Sequence, residues 1–366
     1  MKNDVKRFLR IAALLILAAF VFSGCAGDPD TIDDSPNLGL DNQLSPEAED
    51  LVQRGISSHD RGDYQAAITY YKQAMALAPD HPVIYYEMAF SYISLDDSQT
   101  ALELADKGLN SAITRNYTEV IPTLCDLKGS ALDNLGRNEE AIEVYLTAIN
   151  QYGASSTLLY YNLGVSYYRV NKHTEAAEAL RQGLLLNPNH ASSNFLLGKL
   201  CMEEGKKTQA FYALCYFLLL EPNTDRSGTS YNTVFHMLQQ EGTEAIGVTN
   251  NGTFTASDIV ISIAFTLDEV NVRKSDVEKT RAKLYYVFTN LEEQKNSGKI
   301  NRSAGDELWW DFYAPFFYRI AKSDYFDTFC RYISLTADPE ADNWIENGRD
   351  EIEGFFTWLN DYPAGK

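Results

Sequence analysis

Along the first two thirds of the chain, apolar and small residues recur at helical spacing, and that pattern itself returns about every 34 residues. Ala67, Ala101, Ala141, Ala176 and Ala210 share one position. Four residues on from each stand Tyr71, Ala105, Tyr145, Leu180 and Leu214. Seven residues on stand Ala74, Gly108, Ala148, Gly183 and Phe217. Twelve residues upstream come Gly55, Ala89, Gly129, Gly164 and Gly198, and Pro79, Pro188 and Pro222 close three of the copies. The pattern predicts five helical hairpins, at 48–81, 82–115, 122–155, 157–190 and 191–224. Residues 116–121 are an insertion and residue 156 a spacer. Small residues let two antiparallel helices approach closely, and larger ones fill the space between hairpins. One hairpin cannot bury its own apolar face, whereas a stack can.

This register resembles the tetratricopeptide repeat, with Leu163-Gly164 and Tyr167 as its best-preserved fragment. Neither a Trp nor the full Leu-Gly pair occurs in every copy, so the match is divergent. It covers about half the chain and implies an all-α fold, a solenoid over 48–224. At 100° per residue, positions 4, 7, 8 and 11 of each first helix pack the stack, and positions 2, 5, 9 and 12 form a second face. In the family that second face lines a groove for a peptide. Here it carries Val52 and Ile56; Val83, Tyr86 and Phe90; Asp126, Ser130 and Asp133; Leu158, Tyr161, Val165 and Tyr168, with Arg169 beside them; and Phe195, Lys199 and Met202. The candidate groove residues are Tyr86, Phe90, Asp126, Tyr161, Tyr168, Arg169, Phe195 and Lys199. A face this aromatic calls for a partner, either another protein or the chain's own C-terminal part. The family's Lys/Asn/Arg carboxylate clamp is not present: Ile56, Phe90, Ser130, Val165 and Lys199 occupy position 9.

Residues 1–25 read as a secretion signal, with Lys2, Lys6, Arg7 and Arg10 before an apolar run of twelve from Ile11 to Phe22. That run is shorter than the roughly 20 residues a bilayer-spanning helix needs. Phe22-Ser23-Gly24-Cys25 resembles the bacterial lipobox, although Phe22 departs from the usual Leu. The resemblance implies that Cys25 becomes the lipidated mature terminus, carrying palmitate and further acyl chains. With Ala26 next, rather than Asp, it implies the outer membrane in a Gram-negative cell. In a Gram-positive cell it implies the outer face of the plasma membrane. Residues 26–47 read as an acidic, Pro-bearing tether, too polar to order itself. Such a tether reaches roughly 25 Å.

The chain carries a net charge of −20, with four bases and one acid in the signal. That balance argues against nucleic acid and against charge-driven adhesion to anionic lipid. Cys125, Cys201, Cys215 and Cys330 show no metal spacing and read as buried thiols, with a Cys201–Cys215 bridge as the alternative. The five histidines are scattered, and no catalytic or cofactor motif is present.

Beyond Asn223 the register ends, and 225–366 reads as a mainly helical domain holding all four tryptophans. Residues 246–254 predict a small hairpin. Ser275 with Glu278 predicts a helix to about Gly298, 306–321 an aromatic helix kinked at Pro315, and Ser323 the next cap. Asp338-Pro339 marks another helix start, and the last helix ends near Tyr362. The run from Leu308 to Tyr318 reads either as the core of a capping domain or as a cage for a small molecule or glycan. The sequence thus predicts a lipid-anchored scaffold that binds a protein or peptide at the bacterial envelope, like repeat-bearing lipoproteins that assist envelope assembly. It predicts no enzymatic activity, cofactor or metal; the alternatives are a receptor for a small molecule or glycan using the C-terminal aromatic cluster or, behind it, an enzyme in the C-terminal domain.

Overall fold

A computed structural model describes residues 44–153, 155–239, 276–296 and 305–361. These residues are helical, with no strand among them. The chain divides into two compact units between Leu186 and Asn187. The fifth hairpin therefore belongs to the same unit as the C-terminal helices, and the compact division does not fall at 224/225. Each unit is described by itself.

The N-terminal unit holds four hairpins: α1 (Pro46–Asp60) with α2 (Tyr64–Leu77), α3 (Pro82–Ser94) with α4 (Ser98–Arg115), α5 (Ile121–Asn134) with α6 (Asn138–Tyr152), and α7 (Thr157–Arg169) with α8 (His173–Leu186). Caps set the starts. The side chains of Ser45, Asp63, Asp97 and Ser156 each accept a backbone N–H three residues on, satisfying a donor that the first turn leaves open. Ser156 is the spacer between hairpins, and the 116–121 insertion contains a 3-10 turn at Thr118–Val120.

Close approach within each hairpin depends on a size match. A Cβ on Gly55 would overlap the Tyr71 ring, and one on Gly129 the Tyr145 ring. Both rings are fully buried. In the second hairpin the same pair is Ala89 and Ala105, and in the fourth Gly164 and Leu180. The first helices of successive hairpins touch one another more than the second helices do, so the first helices line the inner side of the stack.

The C-terminal unit begins with the fifth hairpin, α9 (Ala191–Glu203) and α10 (Lys207–Leu220). Beyond it come α11 (Asp225–Gln239), α12 (Asp276–Asn296), a π-helical turn (Leu308–Tyr313), α13 (Ala314–Ala321), α14 (Phe326–Ile333), α15 (Ala341–Asn347) and α16 (Arg349–Asn360). Helix α10 is buried all round from Ala210 to Leu219, as an apolar helix without a polar face must be. Phe288 stacks on Phe317 at 4.5 Å, and Tyr216 meets Phe312, Tyr313, Phe316 and Phe317 edge-on. Three phenols inside this core are hydrogen-bonded, whereas the buried Tyr332 hydroxyl has no partner among the described residues. Tyr216 donates to Asn189 Oδ1 at 2.6 Å, Tyr212 to the Val287 carbonyl at 2.9 Å, and Tyr313 to Asn194.

Two expectations need adjustment here. The aromatic helix is not one α-helix: a π turn precedes Pro315, and Pro315 lies in the first turn of α13. In π winding, the Ala314 N–H reaches the Trp309 carbonyl, and the next donor would serve Trp310. Pro315 has no N–H to give. Lys295 Nζ donates to the Trp310 carbonyl instead, at 2.6 Å. Lys295→Met is therefore expected to destabilise this unit by about 1–3 kcal/mol, because it removes a charge-assisted hydrogen bond to that carbonyl and the ion pair with Glu292 at 3.6 Å. Urea unfolding followed by tryptophan emission measures it; an unchanged midpoint would show that the carbonyl has another partner. The second adjustment concerns boundaries. The helix expected from Asp338-Pro339 starts at Ala341, and the last helix ends at Asn360. Ser323 Oγ does accept the Tyr325 N–H ahead of α14. The hairpin expected at 246–254 lies outside the described residues, as do the signal, Cys25 and most of the tether.

Candidate functional site

The candidate groove residues fall in both compact units. Tyr86, Phe90, Asp126, Tyr161, Tyr168 and Arg169 lie on α3, α5 and α7 of the N-terminal unit. Phe195 and Lys199 lie on α9 of the C-terminal unit.

In the N-terminal unit the inner face is built by alternating aromatic and polar contacts between neighbouring first helices. Phe90 is 40% exposed, and its ring stacks on His59 at 4.6 Å and on Tyr86 at 6.2 Å. His59 Nδ1 is 2.8 Å from Ser91 Oγ, which fixes the imidazole between hairpins one and two. Burial lowers the His59 pKa against the opposing pull of Asp60, so the ring is neutral at pH 7. One turn before Ser91, Glu87 is half-buried and accepts a long bond from the Tyr71 phenol, 3.4 Å.

The same construction recurs between hairpins three and four. Asn162 Nδ2 donates to Asp126 Oδ1 at 3.0 Å, and Ser166 Oγ to Asp133 Oδ2 at 2.6 Å. Tyr145 reaches through the helix pair beside Gly129 and donates to the same carboxylate oxygen at 3.2 Å. Arg169 Nη1 stands 3.7 Å from Asp133. Burial raises the Asp133 pKa, while Ser166, Arg169 and Tyr145 pull it back. Tyr161 and Tyr168 stay half-buried on this face, and Tyr168 stacks on His173 at 5.4 Å. Val52 and Val83, expected on the groove face, are fully buried instead. Their short branched side chains fit the core cluster between neighbouring helices.

Glu87 has a pH consequence. Burial pushes its pKa from 4.5 up to about 7, Asp60 adds to the rise, and the Tyr71 bond offsets part of it. A carboxyl with a raised folded-state pKa favours the fold at low pH. That contribution is lost as pH climbs from 4.5 through about 7, because the unfolded chain ionises first. Glu87→Gln is expected to stabilise the protein by roughly 1–3 kcal/mol at pH 8 and to leave it nearly unchanged at pH 4. Urea titrations at the two pH values check this, and an equal shift at both would remove burial of the charge as the cause.

In the C-terminal unit Phe195 packs against Phe217 at 5.1 Å, and the Arg226 guanidinium covers both rings at 5.7 and 5.3 Å. Arg226 is held by Glu221 and by Ser192 Oγ at 3.0 Å. Phe195 is thus engaged inside its own unit. Lys199 is exposed and pairs with Glu203 at 3.9 Å.

The aromatic run also resolves into packing. Trp309 is 5% exposed and Trp310 fully buried, among side chains that fill the core. The four cysteines after Cys25 are free, so the Cys201–Cys215 bridge is not formed. Burial pushes the Cys125 thiol up to about 11 and the Cys201 thiol up to about 12, as expected for packing residues. Among the described residues there is no cluster of three or more His, Cys, Asp or Glu arranged to hold a metal. No described helix is long and apolar enough to cross a membrane.

Stacked hairpins with small-to-large matching inside each pair, and first helices turned to one side, define a helical-repeat interaction scaffold. Residues 58–112, 122–152 and 157–190 each match the tetratricopeptide repeat. The chain is a tetratricopeptide-repeat protein. Among solved structures, MamA from residue 41 to its end, of Desulfovibrio magneticus RS-1, is 20% identical. It overlaps 50% of this chain and 99% of its own, with a TM-score of 0.42. PilF of Pseudomonas aeruginosa is 20% identical over 53% of this chain and 90% of its own, TM-score 0.46. YrrB, described as a TPR protein with an unusual peptide-binding site, is 14% identical over 57% of this chain and 100% of its own, TM-score 0.40. No curated protein matches the chain.

Proposed function

We propose that this protein is a lipid-anchored scaffold of the bacterial cell envelope whose inner repeat face binds a protein or peptide partner. The observation that carries the binding reading is the inner face of the first four hairpins. Tyr86, Phe90, Tyr161 and Tyr168 stay partly exposed there, on helices that the stack holds rigidly. The work done is equilibrium binding rather than catalysis. The anchoring reading rests on the basic start, the apolar run and Phe22-Ser23-Gly24-Cys25. Two or more acyl chains on Cys25 would hold the protein at the outer membrane, or at the outer face of the plasma membrane in a Gram-positive cell.

A photo-crosslinking amino acid placed at Tyr161 in intact cells tests the binding reading, with Glu143 on the exposed side of α6 as the control position. A discrete adduct from Tyr161 and none from Glu143 is expected; adducts from neither, or equally from both, would sink it. Metabolic labelling with an alkyne palmitate analogue tests the anchor separately. Label is expected on the protein and not on Cys25→Ser, and label on both would remove Cys25 as its site.

A further inference from the structure

We infer that Cys215 and Cys330 are the two halves of one disulfide, which staples α10 of the fifth hairpin to α14 when the chain meets a thiol–disulfide oxidant. Both are thiols in this structure, the reduced state of the pair. The pairing goes beyond the binding reading; only the source of the oxidant, an exported and oxidising setting, rests on the envelope reading above.

Packing brings the two residues to one interface. Helices α10 and α14 touch directly. They converge on the same rings. Phe211 and Phe329 both meet Phe288, at 5.9 and 5.8 Å, and Tyr212 and Phe329 both meet Phe317, at 5.4 and 6.0 Å. Cys215 lies one turn on from Phe211 and Tyr212, on the same side of α10. Cys330 follows Phe329 and lies one turn on from Phe326, which is buried on α14. The electrostatics agree with this placement. Burial holds the Cys215 thiol well above its usual pKa, and the Cys330 sulfur adds to that rise. Cys330 also acts on Tyr231 of α11, the helix that follows and packs on α10. Such influence needs near neighbours. The charged groups that act on Cys201 are instead Lys206 and Glu204, and Cys125 lies in the N-terminal unit.

Exposure sets the order of the reaction. Cys330 keeps some open surface and Cys215 has none. The Cys330 thiol gives its proton to solvent, and the thiolate attacks a disulfide RSSR such as oxidised glutathione. The RS–SR bond breaks, a Cys330–S–S–R bond forms, and RS⁻ leaves and takes up a proton. The Cys215 thiolate, its proton also lost to solvent, then attacks Cys330 Sγ and expels the second RS⁻. The two cysteines together lose two electrons and two protons, and RSSR gains them as two RSH. Burial raises the pKa of both thiols, with Asp327 adding to the rise at Cys330 and Arg281 opposing it. Exchange is therefore slow in the closed core and fast while the unit is folding. The bond closes the chain between 215 and 330 into one loop, and so long a loop withdraws much freedom from the unfolded state.

The full chain carrying Cys25→Ser, refolded from urea in a buffer of oxidised and reduced glutathione, tests the inference. Remaining thiols are blocked with iodoacetamide, and the unreduced chain is digested with trypsin. Cys201, Cys215 and Cys330 fall in separate peptides, 200–206, 208–226 and 323–331. A species joining 208–226 to 323–331 is expected, with Cys125 and Cys201 alkylated. Alkylation of both Cys215 and Cys330, or Cys215 joined to Cys201, overturns the inference. Reduction with dithiothreitol should lower the urea midpoint read by tryptophan emission by about 1 M or more. Cys330→Ser should show the lower midpoint with and without reductant; should that variant not fold, the peptide map of the parent chain decides alone. A joined pair whose reduction leaves the midpoint unchanged overturns the stapling. Chain taken from intact cells separates this inference from the envelope reading. A bond that forms in the purified chain, with free thiols at 215 and 330 in cells, leaves the pairing standing and tells against export.

Discussion

Gly129→Ala is expected to destabilise the N-terminal unit by about 2 kcal/mol, against the direction that helix propensity gives. In a solvent-exposed helix, alanine for glycine stabilises by up to about 1 kcal/mol. At position 129 the added methyl would sit inside the Tyr145 ring, which is fully buried and held by its bond to Asp133. The ring cannot retreat without breaking that bond or opening the third hairpin. Tyr145→Ala alone should cost about 3–5 kcal/mol, the usual range for emptying a large aromatic site. The double variant should cost little more than Tyr145→Ala, because the obstacle to the methyl has gone. A coupling of about 2 kcal/mol in the double-mutant cycle is therefore expected from urea unfolding. Additive effects would mean that ring and glycine are not in competition. Tyr145→Leu recreates the Gly164–Leu180 pairing of the fourth hairpin and should cost less than Tyr145→Ala.

The same Gly–Tyr, Ala–Ala and Gly–Leu pairs explain why the hairpins were legible in the sequence. Their register is a local size code that any one repeat states and the next repeats. The turns offered an equally plain signal that the size code alone does not use. Gly62, Asp96, Gly136, Asn171 and Gly205 all have positive φ and all occupy position 15 of their repeats. These are the residue types that tolerate the left-handed conformation. The inner-face polar pairs were harder to see. His59–Ser91, Asp126–Asn162 and Asp133–Ser166 join residues 32, 36 and 33 apart, about one period. A reading confined to one helix face at a time misses them, and so it takes Asp126 as a groove residue without its Asn162 partner and overlooks Glu87 altogether. The division at Leu186 was legible only in hindsight of packing. Helix α10 keeps the repeat register, yet Phe211, Tyr212, Tyr216 and Phe217 give it no polar side, and the residues that cover it come from far along the chain. The π turn has no such signature, since Pro315 is compatible with either a kink or a helix start.

Phe317→Ala is expected to cost the C-terminal unit about 3–5 kcal/mol, enough to unfold a marginally stable unit at 37 °C. Phe317 has no exposed surface, and its ring meets Tyr212, Tyr216, Phe288, Phe316 and Phe329. It is the point where α10, α12, α13 and α14 share one contact. Deleting it opens a cavity lined by rigid rings, which collapse poorly, so the loss should lie in the upper part of that range. Phe317→Leu keeps most of the volume and should cost roughly 1–1.5 kcal/mol. The readout is specific, because Trp309, Trp310, Trp344 and Trp358 all lie in this unit and Trp309, Trp310 and Trp344 are buried. Tryptophan emission should shift to the red at lower urea in the alanine variant, while the α-helical circular dichroism of the four N-terminal hairpins is retained over the same range. Should Phe317→Ala lower the tryptophan midpoint no more than Phe317→Leu does, the ring is not the keystone of this core, and the aromatic cluster has room that its packing does not display.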